Sequence, residues 1–104
     1  MADFCVTSER DADTAVLALE GELDFATLAQ LRAAADVALD DRTVSVIVLD
    51  LRALRFLDSS GLGLWVELHD RAARCGKSLQ LRAVPAATQR VLELGGLASL
   101  FHLV

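Results

Sequence analysis

The chain has 104 residues, a length that fits one domain. Apolar residues make up 54% and charged residues 24%, which excludes a disordered tail. The net charge of −5, with basic residues scattered, argues against nucleic acid as a partner. No apolar run approaches the ~20 residues that span a bilayer. Met1-Ala2-Asp3-Phe4 also lacks the basic start and apolar core of a signal peptide. No membrane contact and a cytoplasmic location are therefore expected. Cys5 and Cys75 form neither a metal pattern nor a CxxC pair, and they read as buried free thiols.

In chain order, Phe4 to Ser8 reads as a short edge strand and Glu9 to Asp13 as a charged turn. From Thr14 to Glu20 the pattern alternates, with Ala15, Leu17 and Leu19 on one side, which predicts a strand buried on one face. Gly21-Glu22-Leu23-Asp24 ends it. Asp24 then reads as the cap of a helix reaching about Leu39, with Leu28, Leu31, Ala35, Ala38 and Leu39 at helical spacing. Asp40-Asp41-Arg42 is a polar turn whose acids oppose the helix dipole and are expected to be solvated.

Val44 to Leu51 is the strongest strand, and its near-continuous apolar run predicts a central strand covered on both sides. Arg52 to Leu57 reads as a crossover into Asp58-Ser59-Ser60-Gly61-Leu62-Gly63. Asp and Ser are favoured helix caps, because their side-chain oxygens accept the unpaired amides of the first turn. A hydroxyl held there lies where those amides and the helix dipole favour negative charge. In the helix that follows, Gly61, Leu64, Trp65, Leu68, Ala72 and Cys75 form the stripe expected to face the sheet. Gly63, Glu67, Asp70 and Arg74 lie opposite, and Leu62, Val66 and Ala73 lie on a flank between. Leu79 to Val84 is a further strand. Pro85 opens a helix with Ala87, Val91 and Leu94 as apolar positions and Thr88, Gln89, Arg90 and Glu93 as polar ones. Leu97 to Val104 reads as a final turn plus an edge strand. Helices between apolar strands predict right-handed crossovers and a mixed α/β sheet of about four to five strands, with helices packed against it.

The chemistry is less visible. A nucleophile elbow needs GxSxG, and neither Ser59 nor Ser60 has the first glycine. His69 lies roughly 15 Å along the helix from Ser59, too far to act as its base. Glu20, Glu22 and Asp24 have no histidine or fourth acid beside them in sequence, so no metal is expected. Gly61-Leu62-Gly63 lacks the third glycine and the lysine of a phosphate loop, so no cofactor is expected and the chain does not read as an enzyme. What remains is recognition and switching. A phosphate on Ser59 would add about −1.5 to −2 charges beside the apolar flank of Leu62 and Val66.

Val46 to Leu51, then six residues, then Asp58-Ser59-Ser60-Gly61-Leu62-Gly63 together resemble the STAS domain, specifically the bacterial anti-sigma factor antagonists. Gly21-Glu22-Leu23-Asp24 is similar to that family's strand-to-helix turn. Pro85-Ala86, Arg90 and Gly96-Leu97 match as well, so the resemblance covers nearly the whole chain. Trp65 departs from it, being bulky where the family often has a smaller aliphatic residue. The resemblance implies an unphosphorylated form that binds an anti-sigma factor, itself a serine kinase, and so releases the sigma factor. It implies phosphorylation of Ser59 by that kinase, dissociation, and restoration by a serine phosphatase. The implied partner-binding residues are Gly21, Glu22, Asp24, Asp58, Ser60, Gly61, Leu62, Gly63 and Val66 on a chain that is a monomer or weak dimer. The alternative is a STAS accessory subunit that docks on a transporter ATPase of lipid-transport type.

Overall fold

The computed structural model describes residues 3–104; Met1 and Ala2, part of the stretch read above for a leader, lie outside them. Strands β1 (Phe4–Asp11) and β2 (Thr14–Leu23) form an antiparallel hairpin. Then follow α1 (Leu28–Asp40), β3 (Val46–Leu57), α2 (Ser59–Arg74), β4 (Ser78–Arg82), α3 (Ala86–Leu94) and β5 (His102–Leu103). The sheet order is β1-β2-β3-β4-β5, with every pair after the first parallel. This is the expected mixed α/β fold, at five strands. Among the described residues no helix is long and apolar enough to cross a membrane.

Each crossover from β2 onward steps to the next position in the same direction. Right-handed connections of that kind place all three helices on one face of the sheet. The core agrees. Leu17 and Leu19 of β2, Leu31 of α1, Leu49 and Leu51 of β3, Trp65 and Leu68 of α2, Leu81 of β4 and Leu92 of α3 belong to a single buried cluster. Val48 is also buried but stands outside that cluster. It points to the opposite face, in a row with Val16 and Gln80. Helices therefore cover the central strand on one face only, although Val48 on the other face is buried as the apolar run predicts. Val48 is shielded by its neighbours on an open face, where Asp50 and Arg82 pair at 2.9 Å.

Two boundaries move for one reason. β2 continues past Glu20 to Leu23, and β3 continues past Leu51 to Leu57, so the expected crossover is strand. The two pair along this extension through register irregularities at Ala18/Glu20 and Gly21/Glu22, where an extra residue is absorbed without ending the ladder. Gly21 sits here at φ 102, and a Cβ on it would lie 1.8 Å from the Asp3 carbonyl oxygen. That carbonyl accepts the Glu22 amide at 2.9 Å, so the chain entering β1 crosses directly over Gly21.

The α2 stripe is as expected over Gly61, Leu64, Trp65, Leu68 and Ala72, but Cys75 is exposed at the C-cap. Cys5 is exposed too, its thiol donating to Glu20 Oε2 at 3.3 Å. Neither cysteine is the buried thiol expected. Asp41 is not simply solvated. It takes the Thr43 amide and hydroxyl and pairs with Arg10 at 2.8 Å. The end of α1 is held by Lys77, whose Nζ donates to the carbonyls of Asp41 at 2.5 Å and Val44 at 2.7 Å. The buried positions of α3 are Thr88 and Leu92, while the apolar positions Val91 and Leu94 are exposed.

Trp65 is fully buried and meets Phe101 edge to face at 6.4 Å. It joins α2 to the segment before β5. Trp65→Ala is expected to lower stability by about 3–5 kcal/mol through the cavity it leaves, read as a fall in the urea midpoint with little change in slope.

Candidate functional site

The site is the junction where β3 ends and α2 begins. Asp58, in extended conformation, is the N-cap. Its Oδ1 accepts the amides of Ser60 and Gly61, each at 3.0 Å, and the Ser60 hydroxyl at 2.6 Å. Three donors on one oxygen favour the charged form. The Ser60 hydroxyl, then the Gly61 amide, hold the Asp58 carboxyl below its ordinary value, with the Phe25 amide adding to the effect. The two serines thereby take different roles. Ser60 is half-buried and its hydroxyl is committed to the cap. Ser59 is exposed, and among the described residues its hydroxyl has no hydrogen-bond partner. It stands in the first turn of a 16-residue helix that has no acidic residue in that turn.

Two sequence-distant segments meet here. Leu23 pairs with Leu57, and the Asp58 amide donates to the Leu23 carbonyl at 3.2 Å. This sets the turn after β2 beside the start of α2, so Gly21, Glu22 and Asp24 share one end of the sheet with Asp58 to Gly63. Asp24 differs from expectation. Helix α1 starts at Leu28 with Thr27 before it, and Asp24 does not cap it. Asp24 instead shapes the preceding turn, where its Oδ1 accepts the Ala26 amide at 2.9 Å. The buried Thr27 hydroxyl donates to the Glu22 carbonyl at 3.0 Å and accepts the Asp24 amide at 3.0 Å. That hydroxyl staples the turn to β2.

Gly61 is buried against β2 and β3. A Cβ there would lie 2.7 Å from Leu57 Cδ1 and 3.0 Å from Leu23 Cγ. Gly63 faces open space, with nothing within 4 Å. Leu62 and Val66 are half-buried, packed partly on the core, so they offer less free apolar surface than their flank position implied. The exposed apolar groups nearby are two that the helical pattern did not single out, Phe25 at 81% and Phe56 at 49% exposure. Phe25 follows Asp24 and Phe56 precedes Leu57-Asp58, so adjacency to the motif was the one available signal.

Among the described residues no cluster of His, Cys, Asp or Glu has the makings of a metal site. His69 lies further along α2 with its ring edge to face on Phe101 at 5.8 Å. The arrangement offers an accessible hydroxyl on a rigid, well-capped helix start, flanked by apolar side chains.

Two expectations follow. Gly63→Ala should raise stability by about 0.5–1 kcal/mol, since alanine is the better helix former and space is free. Gly61→Ala, which must displace Leu23 and Leu57, should fall at least about 1 kcal/mol below it in the same denaturation experiment. Asp58→Ala should cost about 1 kcal/mol at pH 7 through the lost cap. Because the native carboxyl is depressed, its contribution is full above about pH 4 and is lost as pH falls through the native value. The gap between wild type and Asp58→Ala should therefore close in acid, as followed by thermal melts between pH 7 and pH 2.5.

The family model described as Mlab, STAS domain matches residues 6–104. The anti-sigma F factor antagonist of Lysinibacillus sphaericus is 35% identical over 86 residues, which is 82% of this chain and 73% of that protein. An anti-sigma factor antagonist from Mycobacterium paratuberculosis has the same fold at a TM-score of 0.87, with 27% identity over 97% of this chain and 85% of that one. The anti-sigma factor antagonist SpoIIAA aligns in its unphosphorylated form at 0.79, with 25% identity, covering 98% and 88% of the two chains. Its phosphorylated form aligns at 0.73 and 25%, covering 98% and 91%. With the capped strand–helix junction and the five-strand sheet, these matches establish that the chain belongs to the STAS-domain family of anti-sigma factor antagonists.

Proposed function

We propose that this chain is a phosphorylation-controlled antagonist of an anti-sigma factor, acting in the cytoplasm. In its unmodified state it binds the anti-sigma factor through the end of the sheet that carries Gly21 to Asp24 and Asp58 to Val66. Occupying that factor releases the sigma factor it holds. The anti-sigma factor is also the kinase. The Ser59 oxygen attacks the γ-phosphorus of ATP, ADP leaves, and the hydroxyl proton passes to the kinase. A serine phosphatase reverses the modification by hydrolysis, returning the hydroxyl and inorganic phosphate.

One observation carries this reading. The hydroxyls of Ser59 and Ser60 are adjacent, yet only Ser60's is engaged by Asp58, leaving Ser59 exposed at the helix start. The modification suits that place. The first-turn amides and the helix dipole favour negative charge there, so α2 tolerates it. Docking does not, because a phosphate at an interface carries repulsion and a desolvation cost. Support also comes from SpoIIAA, whose unphosphorylated and phosphorylated forms both align with this fold.

Incubation with the cognate kinase and ATP should add one phosphate, located on Ser59 by mass spectrometry and absent from Ser59→Ala. Calorimetry should find Ser59→Ala binding the anti-sigma factor like wild type, with Ser59→Asp weaker by about tenfold or more. A phosphate elsewhere, or equal affinities for the two variants, contradicts the proposal.

A further inference from the structure

Helix α3 turns an apolar face to solvent. At ~100° per residue, Ala87, Val91 and Leu94 share that face, with Arg90 on its flank. All four are exposed, Leu94 by 82%. The residues that hold α3 to the core, Thr88 and Leu92, lie on a different side. Beside Val91 a cleft of about 210 Å³ opens between Arg55, Phe56 and Leu57 of β3 and Ala87, Thr88 and Val91 of α3. That is below the ~300–1,000 Å³ of small-molecule pockets and is suited to a single apolar side chain.

The cleft exists because β3 outruns β4. Their pairing stops at Asp50 and Arg82, Ala83 turns the chain away at φ 56, and Pro85 opens α3. Residues 51–57 therefore pair with β2 on one edge and, among the described residues, with no strand on the other. Such an edge presents backbone donors and acceptors, the template for strand addition by another chain, with the Arg52 amide already taken by the Asp50 carboxylate at 3.0 Å. The charge here is opposite to that of the molecule. In a chain of net charge −5, the one charged residue lining the cleft is Arg55, Arg90 precedes Val91 on α3, and neither forms a salt bridge among the described residues. Phe56 and Leu57 run straight into Asp58 and Ser59, so the cleft adjoins the switch.

We propose that this cleft receives an extended acidic segment of the anti-sigma factor, with one apolar side chain seated between Phe56 and Val91 and its backbone along the free edge of β3. The proposal rests on the partner-binding reading above and adds a second contact to it. Apolar anchors in small pockets dominate binding energy, whereas rim charges mainly set encounter rate and salt dependence. The two kinds of residue should therefore respond differently.

Calorimetry of the full chain with the purified cognate anti-sigma factor tests this. Val91→Asp is expected to weaken binding by about tenfold or more. Arg90→Glu, at an exposed position where folding is expected to stay intact, should weaken it about threefold at low salt, with the effect shrinking as salt rises. Amides of residues 52–57 should gain hydrogen-exchange protection in the complex. Unchanged affinity for both variants alongside weakened Ser59→Asp overturns the cleft alone. So do amides 52–57 that stay unprotected, or a wild-type dimer that Val91→Asp dissociates. A wild-type chain that does not bind the anti-sigma factor overturns both proposals.

Discussion

Everything at the candidate site of this molecule depends on one carboxylate oxygen. Asp58 Oδ1 holds the first amides of α2 and the Ser60 hydroxyl together, while the Asp58 amide is tied to Leu23 across the sheet. Without that cap the amides would be unsatisfied at the helix start, and the strand-to-helix turn would have no fixed geometry. With it, Ser60 is spent on structure and Ser59 stays exposed. The proposed switch needs this division. The residue to be modified must be accessible, and the framework around it must not rely on its hydroxyl.

The rest of the fold keeps the junction rigid. Gly61 lets α2 lie close on Leu23 and Leu57, and Trp65 one turn later anchors the helix in the core against Phe101. On the outer side Arg71 pairs with Asp36 at 2.8 Å and Arg32 with Glu67, linking α2 to α1. Such half-exposed pairs each contribute little, so the orientation of α2 is set chiefly by its apolar stripe. A charge added at Ser59 therefore meets a helix already fixed by packing. Its effect is expected to fall on the surface rather than on the fold.

Much of this was legible in the sequence because the relevant signals are local. The alternation of Ala15, Leu17 and Leu19 and the stripe from Gly61 to Ala72 are patterns of period 2 and 3.6, and both elements formed as those periods require. The motif at Asp58 was readable as a cap for the same reason. What was not legible depends on tertiary partners. The extension of β3 to Leu57 needs β2 beside it with two irregularities in register. The start of α1 at Leu28 rather than after Asp24 depends on the Thr27 hydroxyl reaching back to Glu22. In α3 the apolar positions include Val91 and Leu94, but Thr88 and Leu92 are the ones that face the core. The same limit hid the cleft, since the end of β4 at Arg82 leaves no mark in the residues of β3.

The central claim is that modification of Ser59 changes the surface and leaves the fold alone. The most direct measurement is a comparison of two-dimensional amide NMR spectra of the chain before and after stoichiometric phosphorylation. The account predicts shifts confined to residues near 23–25 and 56–66, with α2 amides retaining their exchange protection. Shifts spread through the core residues of β2, β3 and β4, or loss of protection along α2, would contradict it.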